Sequence, residues 1–221
     1  HSTRFRVAFA EGVSSWQVYK ALSEIKFLSG KLENIPDEGT IAPASYDFVI
    51  GMTKEALIKK MQERQASILN EAWNARQPNL PINTKQEALI LASIIEKETS
   101  LKTERGKVSS VFVNRLLREI PLQTDASVIY GITRGKKVLG RGLRRSELKK
   151  DTPWNTYVNK GLPPSPIGNP GKASIHAALN PDITNYLYFV ADGSGGHAFA
   201  ENLREHNINV AKWRKIEKTD N

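Results

Sequence analysis

Thr84-Lys-Gln-Glu-Ala-Leu-Ile-Leu-Ala-Ser-Ile-Ile-Glu-Lys-Glu-Thr99 is an apolar helical pattern that ends in carboxylates, and its reading decides the fold. Thr84 followed by Glu87 is a capping box, so the helix begins there. At 100° per residue, Ile90, Leu91, Ile94 and Ile95 spread over an arc centred near the direction of Glu98, whereas Glu96 falls about 160° away beside Ser93. On an ideal helix only one of the two glutamates faces the core, and that one is Glu98. A glutamate desolvated against isoleucines holds its proton more tightly and becomes a candidate general acid. Alternatively, Glu98 pairs with a buried arginine such as Arg105 or Arg115 and is structural. The helix alone leaves both readings open.

Outward from this stretch, amphipathic patterns predict one helix over Thr53–Arg76 and another over Thr103–Leu117, which with the central helix form a helical lobe. Arg4–Phe9 alternates as a strand, Ser14 to Gln17 is a second capping box opening a helix to about Leu28, and Asp47–Ile50 is a candidate strand. Pro36–Pro43 reads as a loop and a domain boundary. Thr124 or Asp125 caps a short helix towards Tyr130. Gly131–Gly142 and the proline-rich Gly161–Gly171 read as loops. Lys172–Leu179 reads as a helix, Tyr186–Ala191 as a strand turning through Asp192–Gly196 into a hairpin, and Ala200–Lys215 as a last helix.

With 221 residues, 39% hydrophobic and 25% charged, the chain can bury a sizeable core. It contains no run of eighteen apolar residues, so no segment reads as a membrane span. The absence of cysteine excludes thiolate nucleophiles, disulfides and zinc–thiolate sites. The histidines lack metal spacing, and no Gly-x-Ser-x-Gly elbow occurs. Gly193–Gly196 has neither phosphate-loop spacing and reads as the hairpin turn. A net charge of +9 favours anionic partners. The basic stretch Arg134–Arg145 lacks the aromatic stacking partners of nucleic-acid platforms and reads as a solvated loop, so no nucleic-acid partner is expected.

Several stretches together resemble the endolytic murein transglycosylases of the YceG-like family. They are Leu91-Ala-Ser-Ile-Ile-Glu-Lys-Glu-Thr99, Val108-Ser-Ser-Val-Phe-Val-Asn-Arg-Leu116, Leu122-Gln-Thr-Asp125, Asn155-Thr-Tyr157, Gly161-Leu-Pro-Pro164, Asn169-Pro-Gly171 and Gly195-Gly-His197. The resemblance implies an α+β domain, a helical lobe with a small β-sheet, over residues 36–221, preceded by the remnant of a LysM-like subdomain over residues 1–35. It implies a lyase that cleaves the MurNAc–GlcNAc β-1,4 bond of peptidoglycan glycan strands and leaves 1,6-anhydro ends. One glutamate would act as acid and then base: Glu98, with Glu96 as the second candidate. Gln123, Asp125, Asn155, Tyr157 and Asn114 would bind substrate, and no cofactor or metal is implied. The expected partners are glycan strands and peptidoglycan synthases. The expected place is outside the bacterial inner membrane, held by an anchor absent from this chain. The alternatives are a non-catalytic peptidoglycan-binding module and a lysozyme-type hydrolase of the same bond.

Overall fold

A computed structural model describes residues 3–219, so the opening His1 and Ser2 lie outside the described residues. The N-terminal elements are β1 (Arg4–Ala8), α1 (Ser15–Glu24), β2 (Ser45–Val49) and α2 (Lys54–Asn74). The middle of the chain forms α3 (Lys85–Glu98), α4 (Arg105–Leu117), α5 (Asp125–Thr133) and α6 (Arg145–Lys149). α7 (Lys172–Leu179), β3 (Tyr188–Ala191), β4 (His197–Ala200) and α8 (Leu203–Thr219) follow.

Three helix starts are where local chemistry puts them. Ser14 accepts the Gln17 N–H while the Gln17 side chain takes the Ser14 N–H, and Thr53 accepts the Ala56 N–H; Thr84 accepts the Glu87 N–H, but the box expected there is only half made, because the Glu87 carboxylate takes the Asn83 N–H instead of that of Thr84. Helix ends depend more on distant partners. α1 stops at Glu24 rather than Leu28 because Phe27 and Ser29 bond sideways to Gly51, Met52 and Lys54. α8 begins at Leu203 because Ala200 is still paired with Tyr188 in the hairpin and Asn202 then caps the helix through the Glu205 N–H. α6 falls between the two stretches read as loops, where no helix was expected.

The β structure is α+β as expected, but it is divided into two separate antiparallel pairs, β1–β2 and β3–β4. Each pair serves its own surroundings. Val18 and Leu22 of α1, Tyr46 and Phe48 of β2, and Leu57, Ile58 and Met61 of α2 form one apolar cluster. This cluster draws on both sides of residue 36. The larger cluster is built around α3, whose residues Ala88–Ile95 are all buried, with Phe112 of α4, Ile175 and Leu179 of α7, and Leu69 and Ala72 of α2. Because α2 contributes its first half to one cluster and its second half to the other, it joins them rigidly. Leu91, Ile94 and Ile95 are fully buried, and each such side chain contributes about 2 kcal/mol.

The face of α3 that reads as polar is also covered. The loop over Gly161–Gly171 lies on it: the Ile167 N–H donates to Ser93 Oγ at 2.9 Å and the Gly171 N–H to Glu96 Oε2 at 2.9 Å. The same loop holds the N-terminal cluster through fully buried Asn169. Its Oδ1 accepts the Ile41 N–H at 2.9 Å, and its Nδ2 donates to Val13 O at 3.0 Å and Ser15 Oγ at 3.1 Å. Removing this amide leaves the buried Ile41 N–H without its acceptor and Ser15 Oγ without a donor, while the Val13 carbonyl keeps the Asn169 backbone N–H. We therefore expect Asn169→Ala to lower the stability by about 3 kcal/mol, read by urea unfolding. A loss below about 1 kcal/mol would show that the two clusters do not depend on it.

Candidate active site

The last turn of α3 places its two carboxylates in different surroundings. Glu96, whose side chain is only 5% exposed, accepts the Gly171 N–H and lies 3.5 Å from Arg105, which is itself 3.6 Å from Glu11. Both glutamates are therefore enclosed, contrary to the expectation that only one faces inward, and Glu96 is the one with a buried cation. The physical reason is the proline-rich loop, whose free N–H groups need acceptors on that face of α3.

Glu98 lines a cleft of about 630 Å³. Neither arginine considered as its partner reaches it. Arg105 serves Glu96, and Arg115 donates to the carbonyls of Leu187 at 2.7 Å and Pro121 at 2.9 Å and to Gln123 Oε1 at 3.4 Å. The hydrogen-bond partner of Glu98 is the Thr124 hydroxyl, which donates to Oε1. Burial pushes the Glu98 carboxyl pKa up, the Thr124 bond pulls it down, and the neighbouring Asp125 charge pushes it up again, with a net rise. Such a carboxyl retains its proton further toward neutral pH than an ordinary glutamic acid.

The segment 155–157 fixes what surrounds it. Tyr157 donates its phenol O–H to Asp125 Oδ1 at 2.6 Å. Thr156 accepts the Thr124 N–H at its hydroxyl, 3.0 Å away, and the Gln123 N–H at its carbonyl, 3.1 Å away. Ser127, within 2.9 Å of both Thr124 O and Thr156 Oγ1, completes the knot. Gln123 is held in the left-handed region, with φ of 54°, a strain of about 1 kcal/mol for a residue with a β-carbon. Thr124 sits at the N-cap of α5 yet makes no side-chain cap bond, because its hydroxyl faces Glu98 instead.

Of the expected site residues, the structure brings Glu98, Gln123, Asp125 and Tyr157 to one cleft. Asn155 does not line it. Fully buried, Asn155 donates to the carbonyls of Leu148 at 3.0 Å and Lys150 at 2.7 Å, closing the end of α6, and its Oδ1 accepts the Tyr157 N–H. Asn114 also lies outside the cleft lining, tying α4 to the carbonyls of Thr184 and Tyr186 at 2.9 Å each.

Other cleft residues were not singled out from sequence. Tyr188 of β3 stacks on His206 of α8 at 4.9 Å between ring centroids, and Asn207 and Val210 continue that wall. Burial and the Arg115 charge hold the His206 pKa below its usual value, so the imidazole is neutral at neutral pH. These residues follow Glu98 by about a hundred positions, and no local spacing marks them.

A third enclosed carboxyl, Glu38, also has a raised pKa through burial. It differs from Glu98 in having its acceptor positions filled by the Ser15 N–H at 2.8 Å, the Tyr130 O–H at 2.8 Å and Asn169 Nδ2 at 3.3 Å. Three donors make it a structural acceptor, whereas the second oxygen of Glu98 has no hydrogen-bond donor among the described residues.

The YceG-like family matches residues 1–212 of this chain. The chain is 40% identical over 179 residues to the endolytic murein transglycosylase of Bacillus subtilis strain 168, covering 80% of this chain and 48% of that protein. It is 34% identical over 182 residues to the protein of the same name from Streptococcus pneumoniae serotype 2, covering 79% of this chain and 32% of that one. The chain thus spans about half or less of these relatives' lengths. The crystal structure of a YceG-like protein from Listeria monocytogenes superposes with a TM-score of 0.72 at 27% identity, covering 92% of this chain and 75% of that one. Matched across nearly its whole length, and similar in fold as well as in sequence, this chain belongs to the YceG-like family.

Proposed function

We propose that this chain is the catalytic part of an endolytic lytic transglycosylase, with Glu98 as its acid and then its base. The observation that carries the reading is the Glu98 carboxyl: enclosed, hydrogen-bonded by a neutral hydroxyl rather than paired with an arginine, raised in pKa, and open to a cleft of about 630 Å³. The names of the relatives support the substrate class, which is peptidoglycan.

In this reading Glu98 gives its proton to the oxygen leaving C1 of the muramyl unit as the C1–O4 bond breaks. The positive charge that develops at C1 faces Asp125, whose carboxylate is fixed by the Tyr157 hydroxyl. The muramyl C6 oxygen then bonds to C1, and its proton passes to the Glu98 carboxylate. The products carry a 1,6-anhydro end and a free 4-hydroxyl, no water is consumed, and the acid is regenerated. The internal nucleophile removes the need for the second catalytic carboxylate that most glycosidases use. Gln123 lines the same cleft and presents an amide to the sugar's hydroxyl or N-acetyl groups. Asn155 and Asn114 contribute by holding α6 and the strand that leads into the cleft.

The same proposal includes residues 1–35 as the end of a LysM-like region and residues 36–221 as the catalytic domain. No helix among the described residues is long and apolar enough to cross a membrane. We place the domain outside the inner membrane, anchored by other parts of the polypeptide, beside the synthases that supply uncross-linked strands.

Digestion of uncross-linked glycan strands with products resolved by mass tests the reaction. Anhydro-ended fragments are expected from the wild type, and Glu98→Gln should slow their release at least about 100-fold without loss of stability. Products heavier by one water would replace the reading with hydrolysis, and binding without release would replace it with a binding module. Glu96→Gln should instead lower the melting temperature, because it leaves Arg105 without its most buried counter-charge. If Glu96→Gln abolishes turnover in a fully folded protein, the assignment of the acid is wrong.

Activity should also fall as pH rises through the raised Glu98 pKa, since the acid must start protonated. Asp125→Asn removes a charge that raises this pKa, so the alkaline limb of the rate profile should move to lower pH. Thr124→Val removes the bond that lowers it, so the limb should move to higher pH. Shifts in the same direction for both variants would show that the limb belongs to another group.

A further inference from the structure

A second groove, of about 410 Å³, lies beside the catalytic cleft and is not used by the reaction. Ala126, Ile129, Tyr130 and Thr133 of α5 form one wall. At 100° per residue this face is centred about 90° round the helix from Asp125 and runs for roughly 10 Å along it. The loop after α5 forms the opposite wall through Lys137, Val138, Leu139 and Arg141, and Lys97 of α3 closes one end. The two sites share both supporting helices, with Lys97 beside Glu98 in α3 and Ala126 beside Asp125 in α5.

The lining has an uncommon chemistry. Three cations, Lys97, Lys137 and Arg141, border it, and no aspartate or glutamate does. Arg141 is compensated by Glu147 at 2.6 Å, and Lys97 donates to Gly12 O at 2.7 Å with its pKa lowered by burial. Lys137 is exposed, and Val138 beside it is 84% exposed, an apolar side chain held in solvent at the groove's rim. Between the cations the surface is aliphatic. A bare sugar chain offers neither carboxylates nor methyl groups in the proportion that this lining could use.

We propose that this groove receives an acidic peptide stem carried by the glycan strand whose backbone occupies the catalytic cleft. The inference rests on the function proposed above. Stem carboxylates meet Lys137, the lining cation that neither Glu147 nor a backbone carbonyl engages, and the stem's small aliphatic side chains lie against Ala126, Ile129 and Val138. Because the groove starts at Ala126 and Lys97, the chain neighbours of Asp125 and Glu98, it is placed to select strands by their substituents while the chemistry at Glu98 stays the same.

The test uses uncross-linked strands that bear their stems and the same strands stripped of peptide. Binding is measured with Glu98→Gln, so that nothing is cut, and turnover with the wild-type residue at 98. The double change Lys137→Glu with Val138→Ser involves two exposed side chains and should leave the melting temperature unaltered. It is expected to weaken binding of stem-bearing strands about tenfold and leave stripped strands unaffected. Equal weakening for both substrates, no weakening for either, or no binding of either by Glu98→Gln overturns the groove assignment. Stem-dependent weakening together with a wild type that cuts neither substrate upholds the groove and rejects the reaction. Cutting of both, with no stem-dependent loss in the variant, does the reverse.

Discussion

A helix buried on all sides cannot end in two carboxylates unless each is neutralised, and α3 is such a helix. Taking a carboxylate out of water costs several kcal/mol unless it is paired, hydrogen-bonded or protonated. Glu96 is satisfied by an arginine and a backbone N–H. Glu98 has one hydroxyl donor, and burial shifts its pKa up, toward the protonated form. The two solutions lie two residues apart because the proline-rich loop brings donors to one side of the helix and leaves a cleft on the other. Much of the surrounding structure follows from this division: Arg105 must be buried, Gly171 must present its N–H, and Thr124 must face α3.

The cleft is held by backbone as much as by side chains. Residues 155–157 perform three consecutive tasks, closing α6, fixing the turn at Gln123 and Thr124, and orienting Asp125. Such a segment gives little freedom to the groups around Glu98. That suits the proposed reaction, in which the charge at C1 is met by dipoles already in place rather than by rearrangement. The left-handed Gln123 is the local cost of the arrangement.

What could be read from sequence was what depends on nearest neighbours. The caps at Ser14 and Thr84 were legible because the partner sits three residues away, and the burial of Leu91, Ile94 and Ile95 because the period of a helix exposes it. Glu98 was legible for the same reason. The enclosure of Glu96 was not, since the covering loop lies about seventy positions later and looks only like a turn-rich connection. Asn155 was expected beside the substrate from the company it keeps in the chain, yet its amide is consumed by the carbonyls of a helix that the basic, glycine-rich composition concealed. His206 and Asn207 reach the cleft only because the β3–β4 hairpin brings α8 back across it, a tertiary fact without a local signature.

Thr124 shows how the site sets its own acidity. A threonine at an N-cap ordinarily bonds the first turn of its helix, and losing that bond costs about 1 kcal/mol. Here α5 forgoes it, and the hydroxyl instead meets the carboxyl that burial and Asp125 would otherwise hold protonated across a wider pH range. In the proposed reaction the acid must also become a base, and both states must lie within reach. Burial alone would favour the acid too strongly, and an arginine in place of Thr124 would favour the base. A neutral hydroxyl that can donate to the carboxylate lies between these extremes, so the missing cap and the tuned acid are consequences of a single side chain's orientation.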